Sequence, residues 1–160
     1  MKLPPLPVVL NKRIHIFLFC TFSSFLPKAM SFSSSVCVNP VPRVLVSGAG
    51  SSIVNGAYLL RTAKTIPAAF DLVCRQSRWD TRSMWERLNG NGSWWESDNG
   101  SYIYLNRGDG KWWMDSGETG LGLYVRTARS GESPNLPPAD DWEMLGDAAP
   151  PLPSVATEQQ

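Results

Sequence analysis

Apolar and polar positions alternate along much of the second half of this chain, in short runs separated by glycine-bearing turns. Ser93 to Glu96, Ser101 to Asn106, Lys111 to Asp115 and Gly122 to Thr127 are four such runs. The turns between them are Asp98-Asn99-Gly100, Arg107-Gly108-Asp109-Gly110 and Ser116-Gly117-Glu118-Thr119-Gly120. Asn-Gly and Asp-Gly supply the positive-φ positions that tight hairpins need, so the pattern predicts antiparallel strands in succession. Upstream, Arg43 to Ser47 reads as a short apolar strand, broken by Gly48-Ala49-Gly50-Ser51-Ser52. Asn55-Gly56 marks a turn, and Ala57 to Arg61 is a second strand with Tyr58 and Leu60 on one face.

Two stretches resist this pattern. Residues 62–82 read as a long loop, because Pro67 interrupts any strand there and the neighbours are small or basic. Ser83 to Leu88 fits two templates. Met84, Glu86 and Leu88 alternate as in a strand, whereas Asp80 is placed to cap a helix with a Met84-Trp85-Leu88 face that Asn89-Gly90 would end. The strand-rich context favours the strand. After Ser130 the prolines 134, 137 and 138 predict an extended tail, in which Trp142 docks on the sheet as a clasp.

The expected fold is therefore all-β: a single small antiparallel sheet, barrel or sandwich of five to seven short strands, with an extended Pro-rich C-terminal tail. Its domain covers residues 41–148, with a leader and linker over 1–40 and the tail over 149–160. A length of 160 residues suits one domain. With 42% hydrophobic and 18% charged residues, the composition is that of a globular chain.

Charge separates the leader from the rest. Net charge is +1, yet no acidic residue precedes Asp71, and after Phe70 eight basic residues face fourteen acidic ones. No basic stripe of a nucleic-acid binder is present. Lys2, Lys12 and Arg13 precede an apolar segment, Ile14 to Leu26, of 13 residues. A helix across a bilayer of about 30 Å needs roughly 20 residues, so no membrane span is expected in the mature form. The segment fits a signal-peptide core, with small residues at Ala29 and Ser31 to Ser35 for cleavage; its serines and lack of acids also suit organellar import. The expected address is the secretory pathway or an organelle, or the cytoplasm if translation starts at Met30.

The sequence offers little chemistry. Cys20 and the single histidine, His15, lie in the leader. Cys37 and Cys74 remain, and their spacing does not decide whether they pair. No metal site and no cofactor are expected. Val44-Leu45-Val46-Ser47-Gly48-Ala49-Gly50 resembles the opening of a dinucleotide-binding turn, but Ile53 stands where the third glycine belongs and Asn55-Gly56 breaks the helix. Glu96, Asp98, Asp109, Asp115 and Glu118 invite a glycosidase reading, yet most sit in or beside turns, where carboxylates bond the local backbone. Catalysis is therefore not expected. Asn91 and Asn99 open N-glycosylation sequons, which matter only on the secretory route. Pro150-Pro151-Leu152-Pro153 repeats the Pro4-Pro5-Leu6-Pro7 pattern of polyproline ligands, and reads more simply as extended terminus.

Val44 to Gly50, Val54-Asn55-Gly56-Ala57-Tyr58, the Trp-bearing centre, Pro137-Pro138 with Trp142, and the closing Pro150-Pro151-Leu152-Pro153 together resemble a small Trp- and Gly-rich β module. That module occurs, often in tandem, in uncharacterised algal and protist proteins. The resemblance spans about residues 43–155, with residues 62–82 as an insert that the compact module lacks. It implies a fold and carries over no activity and no catalytic residue.

All seven tryptophans lie between Trp79 and Trp142. Neighbouring strand residues face opposite sides, so Trp94-Trp95 and Trp112-Trp113 are each expected to leave a ring outside the main core unless both faces of the sheet are covered. With Tyr102, Tyr104 and Tyr124 they form the candidate aromatic surface. The expected function is a non-enzymatic binding module with a protein partner, or alternatively a secreted or lumenal carbohydrate-binding module.

Overall fold

A computed structural model describes residues 42–158, and the leader, the sequence between Cys20 and Cys37, and both of those cysteines lie outside it. Eight strands form one antiparallel sheet: β1 (Arg43–Ser47), β2 (Gly56–Arg61), β3 (Trp94–Ser97), β4 (Tyr102–Asn106), β5 (Lys111–Asp115), β6 (Gly122–Thr127), β7 (Glu143–Met144) and β8 (Ser154–Glu158). Their spatial order is β7-β6-β5-β4-β3-β2-β1-β8. The first seven form a meander, and β8 returns from the far edge to pair along β1, with Val46 opposite Val155. Of the expected all-β antiparallel fold, the antiparallel and mostly-sheet character holds. Among the described residues the count is eight strands, above the five to seven expected.

The six strands read from the sequence are present with ends shifted by at most a residue. Two helices are not loop or strand as expected. Helix α1 (Ala68–Gln76) occupies the stretch read as loop, and α2 (Thr81–Asn89) replaces the strand favoured over 83–88. Caps decide the second case. The Asp80 carboxylate accepts from the Ser83 N–H at 2.8 Å, and Gly90 closes the other end at φ 58° with its N–H bonded to Glu86. Two satisfied ends outweigh an alternation of three side chains, of which Met84 and Leu88 pack against the outer cluster beside Trp85 and only Glu86 is exposed.

The sheet curls into a half-barrel. Strands β1 to β6 and β8 all send side chains into one inner cluster, which includes Val44, Tyr58, Trp95, Ile103, Trp112, Met114, Tyr124 and Val155. Side chains from such distant strands meet only if the sheet wraps around them. The Trp142 ring, from the loop before β7, is buried in the same cluster, as the clasp expectation requires. Its indole N–H donates to the Pro138 carbonyl at 3.2 Å. Across the gap between the two sheet edges, the Val155 N–H donates to the Ala139 carbonyl at 2.8 Å.

The outer face carries the helices. Trp94, Tyr102 and Tyr104 pack there against Ala69, Phe70, Cys74 and Trp85. Trp85 is the hub, edge-on to Phe70 at 5.0 Å and to Trp94 at 5.8 Å between ring centroids. Each such pair adds about 0.5–1.5 kcal/mol beyond the area it buries.

The C-terminal segment is held by close backbone approach at Gly50, whose N–H donates to the Pro151 carbonyl at 2.8 Å. A Cβ on Gly50 would stand 1.9 Å from the Pro150 oxygen. Gly50→Ala is therefore expected to destabilise the domain by about 1–3 kcal/mol, the usual cost of forced overpacking. Urea unfolding checks this, and an unchanged midpoint would show that the segment shifts freely.

Candidate functional site

The proposed aromatic surface is mostly interior. Trp94, Trp95, Trp112, Tyr102, Tyr104 and Tyr124 are all buried, which corrects the expectation that rings are left outside. The pairs do split across the sheet as strand geometry demands: Trp95 and Trp112 point inward, and Trp94 and Trp113 point outward. The outward rings are covered because α1 and α2 roof that face. The polar atoms of the buried rings are mostly occupied too. The Trp94 N–H reaches the Thr62 and Thr65 carbonyls at 3.1 Å, the Trp95 N–H reaches Asn135 at 3.1 Å, and the Tyr124 hydroxyl bonds to Ala149 and Ser51.

Trp113 alone of the seven candidates is only half-buried. Its N–H donates to Asp109 Oδ2 at 2.9 Å, which fixes the indole at the edge of the helical layer. Gly122 lies flat against the ring: a Cβ there would stand 2.7 Å from Trp113 Cε3. The same imagined atom would be 3.0 Å from Leu145 Cδ2, so the indole and Leu145 sit side by side. Around them opens a cleft of about 460 Å³, walled by Trp113, Leu121, Leu123 and Leu145, with Thr119 and Asp147 at the rim. Leu121 is 60% exposed, although nothing in the hairpin requires a large aliphatic residue there. The aliphatic members were missed in the sequence. Leu121 and Leu123 alternate with glycines, a visible signal, but Leu145 reaches them only through pairing beside β7, where its N–H donates to the Leu123 carbonyl at 2.9 Å.

The carboxylates do not converge. Glu96 pairs with Arg61 at 2.8 Å, Asp109 serves Trp113 and the Lys111 N–H, and Asp98 and Glu118 are exposed. Asp115 is buried opposite Tyr102, and desolvation pushes its carboxyl up to about 7, partly offset by the Tyr102 hydroxyl. Burial likewise raises the Tyr102 and Tyr104 phenols far above their ordinary range, with Asp115 adding to the effect. Cys74 is buried and has no disulfide partner among the described residues; its thiol is also pushed up, first by burial and then by the Asp71 charge. Among the described residues no three His, Cys, Asp or Glu side chains group as a metal site, and no helix is long and apolar enough to cross a membrane. Asn91 is exposed, whereas the Asn99 amide is engaged, donating to the Ile53 carbonyl at 2.6 Å.

Comparison with known protein families, curated proteins and solved structures finds no match. The fold thus defines the class by itself: a mostly-β protein built on an eight-stranded antiparallel half-barrel with a two-helix outer layer.

Proposed function

We propose that this domain is a non-enzymatic binding module, and that it takes an aromatic or aliphatic side chain of a protein partner in the cleft at Trp113. The observation that supports this is the cleft itself: an anchored indole beside three leucines, one of them largely exposed. Its volume falls in the roughly 300–1,000 Å³ range of small binding sites. Rigid aromatic walls lose little side-chain entropy on binding, and aliphatic neighbours gain from excluding water. A sugar ring would need several hydrogen-bonding groups around the indole. Among the described residues Thr119 and Asp147 are the only polar side chains at the rim, so the protein partner is preferred over the glycan.

Panning a random peptide library against the full chain, beside a glycan array, tests the proposal. The expected result is peptides sharing one large apolar anchor, whose binding is weakened by about tenfold or more in Leu121→Glu. Leu121 is a surface position, so this substitution should change stability by no more than about 0.5 kcal/mol. Peptides that bind the variant equally well, or glycan binding without peptide binding, would overturn the proposal.

A further inference from the structure

The junction between α1 and α2 holds a second cavity, of about 390 Å³, lined by Arg78, Trp79, Asp80, Ser83, Met84 and Arg87. It belongs to the helical layer and shares no residue with the cleft at Trp113. Its chemistry differs as well. Trp79 is 53% exposed in a protein that buries five of its other tryptophans almost completely. Asp80, Ser83, Met84 and Arg87 fall at helical spacing on one face of α2, so Arg87 stands above the cap and beside the same opening. Among the described residues neither Arg78 nor Arg87 has an ion-pair partner, whereas Arg75 and Arg82 are paired within their helices. The one carboxylate in the lining, Asp80, is turned to the Ser83 N–H as the helix cap.

Backbone geometry sets where Arg78 stands. α1 ends with the Trp79 N–H bonded to the Cys74 carbonyl and the Arg78 N–H to that of Arg75. This is the Schellman arrangement, which puts its central residue in the left-handed region and is normally served by glycine. Here that residue is Arg78, at φ 59°. A bulky residue in a conformation that glycine adopts freely is strained. The left-handed residue makes the turn, and its Arg78 side chain lines the cavity next to the exposed Trp79.

We propose that this cavity binds a phosphate-bearing ring compound, with Arg78 and Arg87 gripping the phosphate and Trp79 stacking on the ring. Guanidinium forks match phosphate oxygens in pairs. An indole face accepts either a nucleobase or the apolar face of a sugar. The shared chemistry is therefore a phosphomonoester on a stackable ring.

Calorimetric titration of the full chain at low ionic strength tests this with four probes: adenosine monophosphate, glucose 6-phosphate, inorganic phosphate and adenosine. Binding of either ring phosphate, tighter than inorganic phosphate and tighter than adenosine, supports the site, and the preferred probe tells base from sugar. Arg87→Gln should weaken that binding by about tenfold or more, the loss of a charge-assisted contact. Trp79→Ala should remove the advantage of the ring over inorganic phosphate. Arg78→Gly is the decisive variant: it relieves the left-handed backbone, so thermal stability should hold or rise while affinity falls by about tenfold. No binding of either ring phosphate at millimolar concentration, adenosine binding as tightly as its monophosphate, or full affinity in Arg78→Gly would each overturn the proposal.

Discussion

Trp142→Ala is expected to cost about 3–5 kcal/mol, a large share of the roughly 5–15 kcal/mol that holds a domain of this size together. The residue belongs to no long element: β7, which follows it, has two residues. Its ring nevertheless lies fully inside the inner cluster with Trp95, Trp112 and Tyr124. Removing it loses the buried area and leaves a void that neighbouring strands, pinned by their ladders, fill poorly. The loop around it is tied elsewhere. Arg126, 3% exposed on the inner side of β6, makes a two-pronged ion pair with Glu132, and Arg129 reaches Asp141 at 2.6 Å. These ties are polar and cannot replace the lost apolar burial. The damage should appear first at the seam the loop closes, where Val155 bonds to Ala139. Urea unfolding should therefore show a lowered midpoint, and hydrogen exchange should show early loss of protection in β8. Trp142→Phe should cost less, since it keeps most of the ring area and gives up the bond to Pro138. A change below about 1 kcal/mol in the alanine variant would show that the clasp carries no structural load.

How far the sequence specifies this fold depends on whether the signal is local. The hairpins from β3 to β6 are legible because glycine turns and period-two alternation are both written within ten or so residues. Trp142 is legible because a large ring between prolines has few uses outside a core. The helices are harder. Pro67-Ala68-Ala69 carries no strong start signal, and the nine residues of α2 satisfy both periods, so only the Asp80 and Gly90 caps separate them. Strand β8 is hidden for a different reason. Ser154 to Glu158 is unremarkable alone, and becomes a strand only beside β1, about 110 residues earlier in the chain. The misplaced aromatic surface follows directly from the missed helices. Trp94, Tyr102 and Tyr104 look free on a bare sheet and are interior once Phe70, Cys74 and Trp85 lie over them. Trp113 escapes because it stands at the border of that roof.

The buried Asp115 leads to the second large effect. The residue is 4% exposed, its Oδ1 has no hydrogen-bond partner among the described residues, and burial raises its pKa to about 7. In the unfolded chain an aspartate titrates near 3.9. Between those values the folded protein holds a proton that the unfolded chain has released, so stability falls as pH rises through this window and levels off above about 7. The full difference is on the order of 4 kcal/mol. The groups around Asp115 do not mask it. Tyr58, Tyr102 and Tyr104 have phenols raised above their usual range, and the Cys74 thiol is raised as well, so all titrate above the window. Glu132, held at about 2 first by its hydrogen bond from Arg126, and Asp80, lowered by Ser83, contribute stability of the opposite slope, lost as pH falls below about 4.5, at the acid edge of the window. Asp115→Asn should remove the slope. The amide is neutral at every pH, and the Tyr102 oxygen can accept one of its two N–H groups. The variant should be close to wild type at pH about 5, and more stable by about 1–3 kcal/mol at pH about 8, once the second, unpaired N–H is set against the charge removed. Urea unfolding of both proteins at the two pH values reads this directly. A wild-type stability that rises from the lower to the higher pH, or an unchanged slope in Asp115→Asn, would show that the carboxyl is ionised and solvated within the fold.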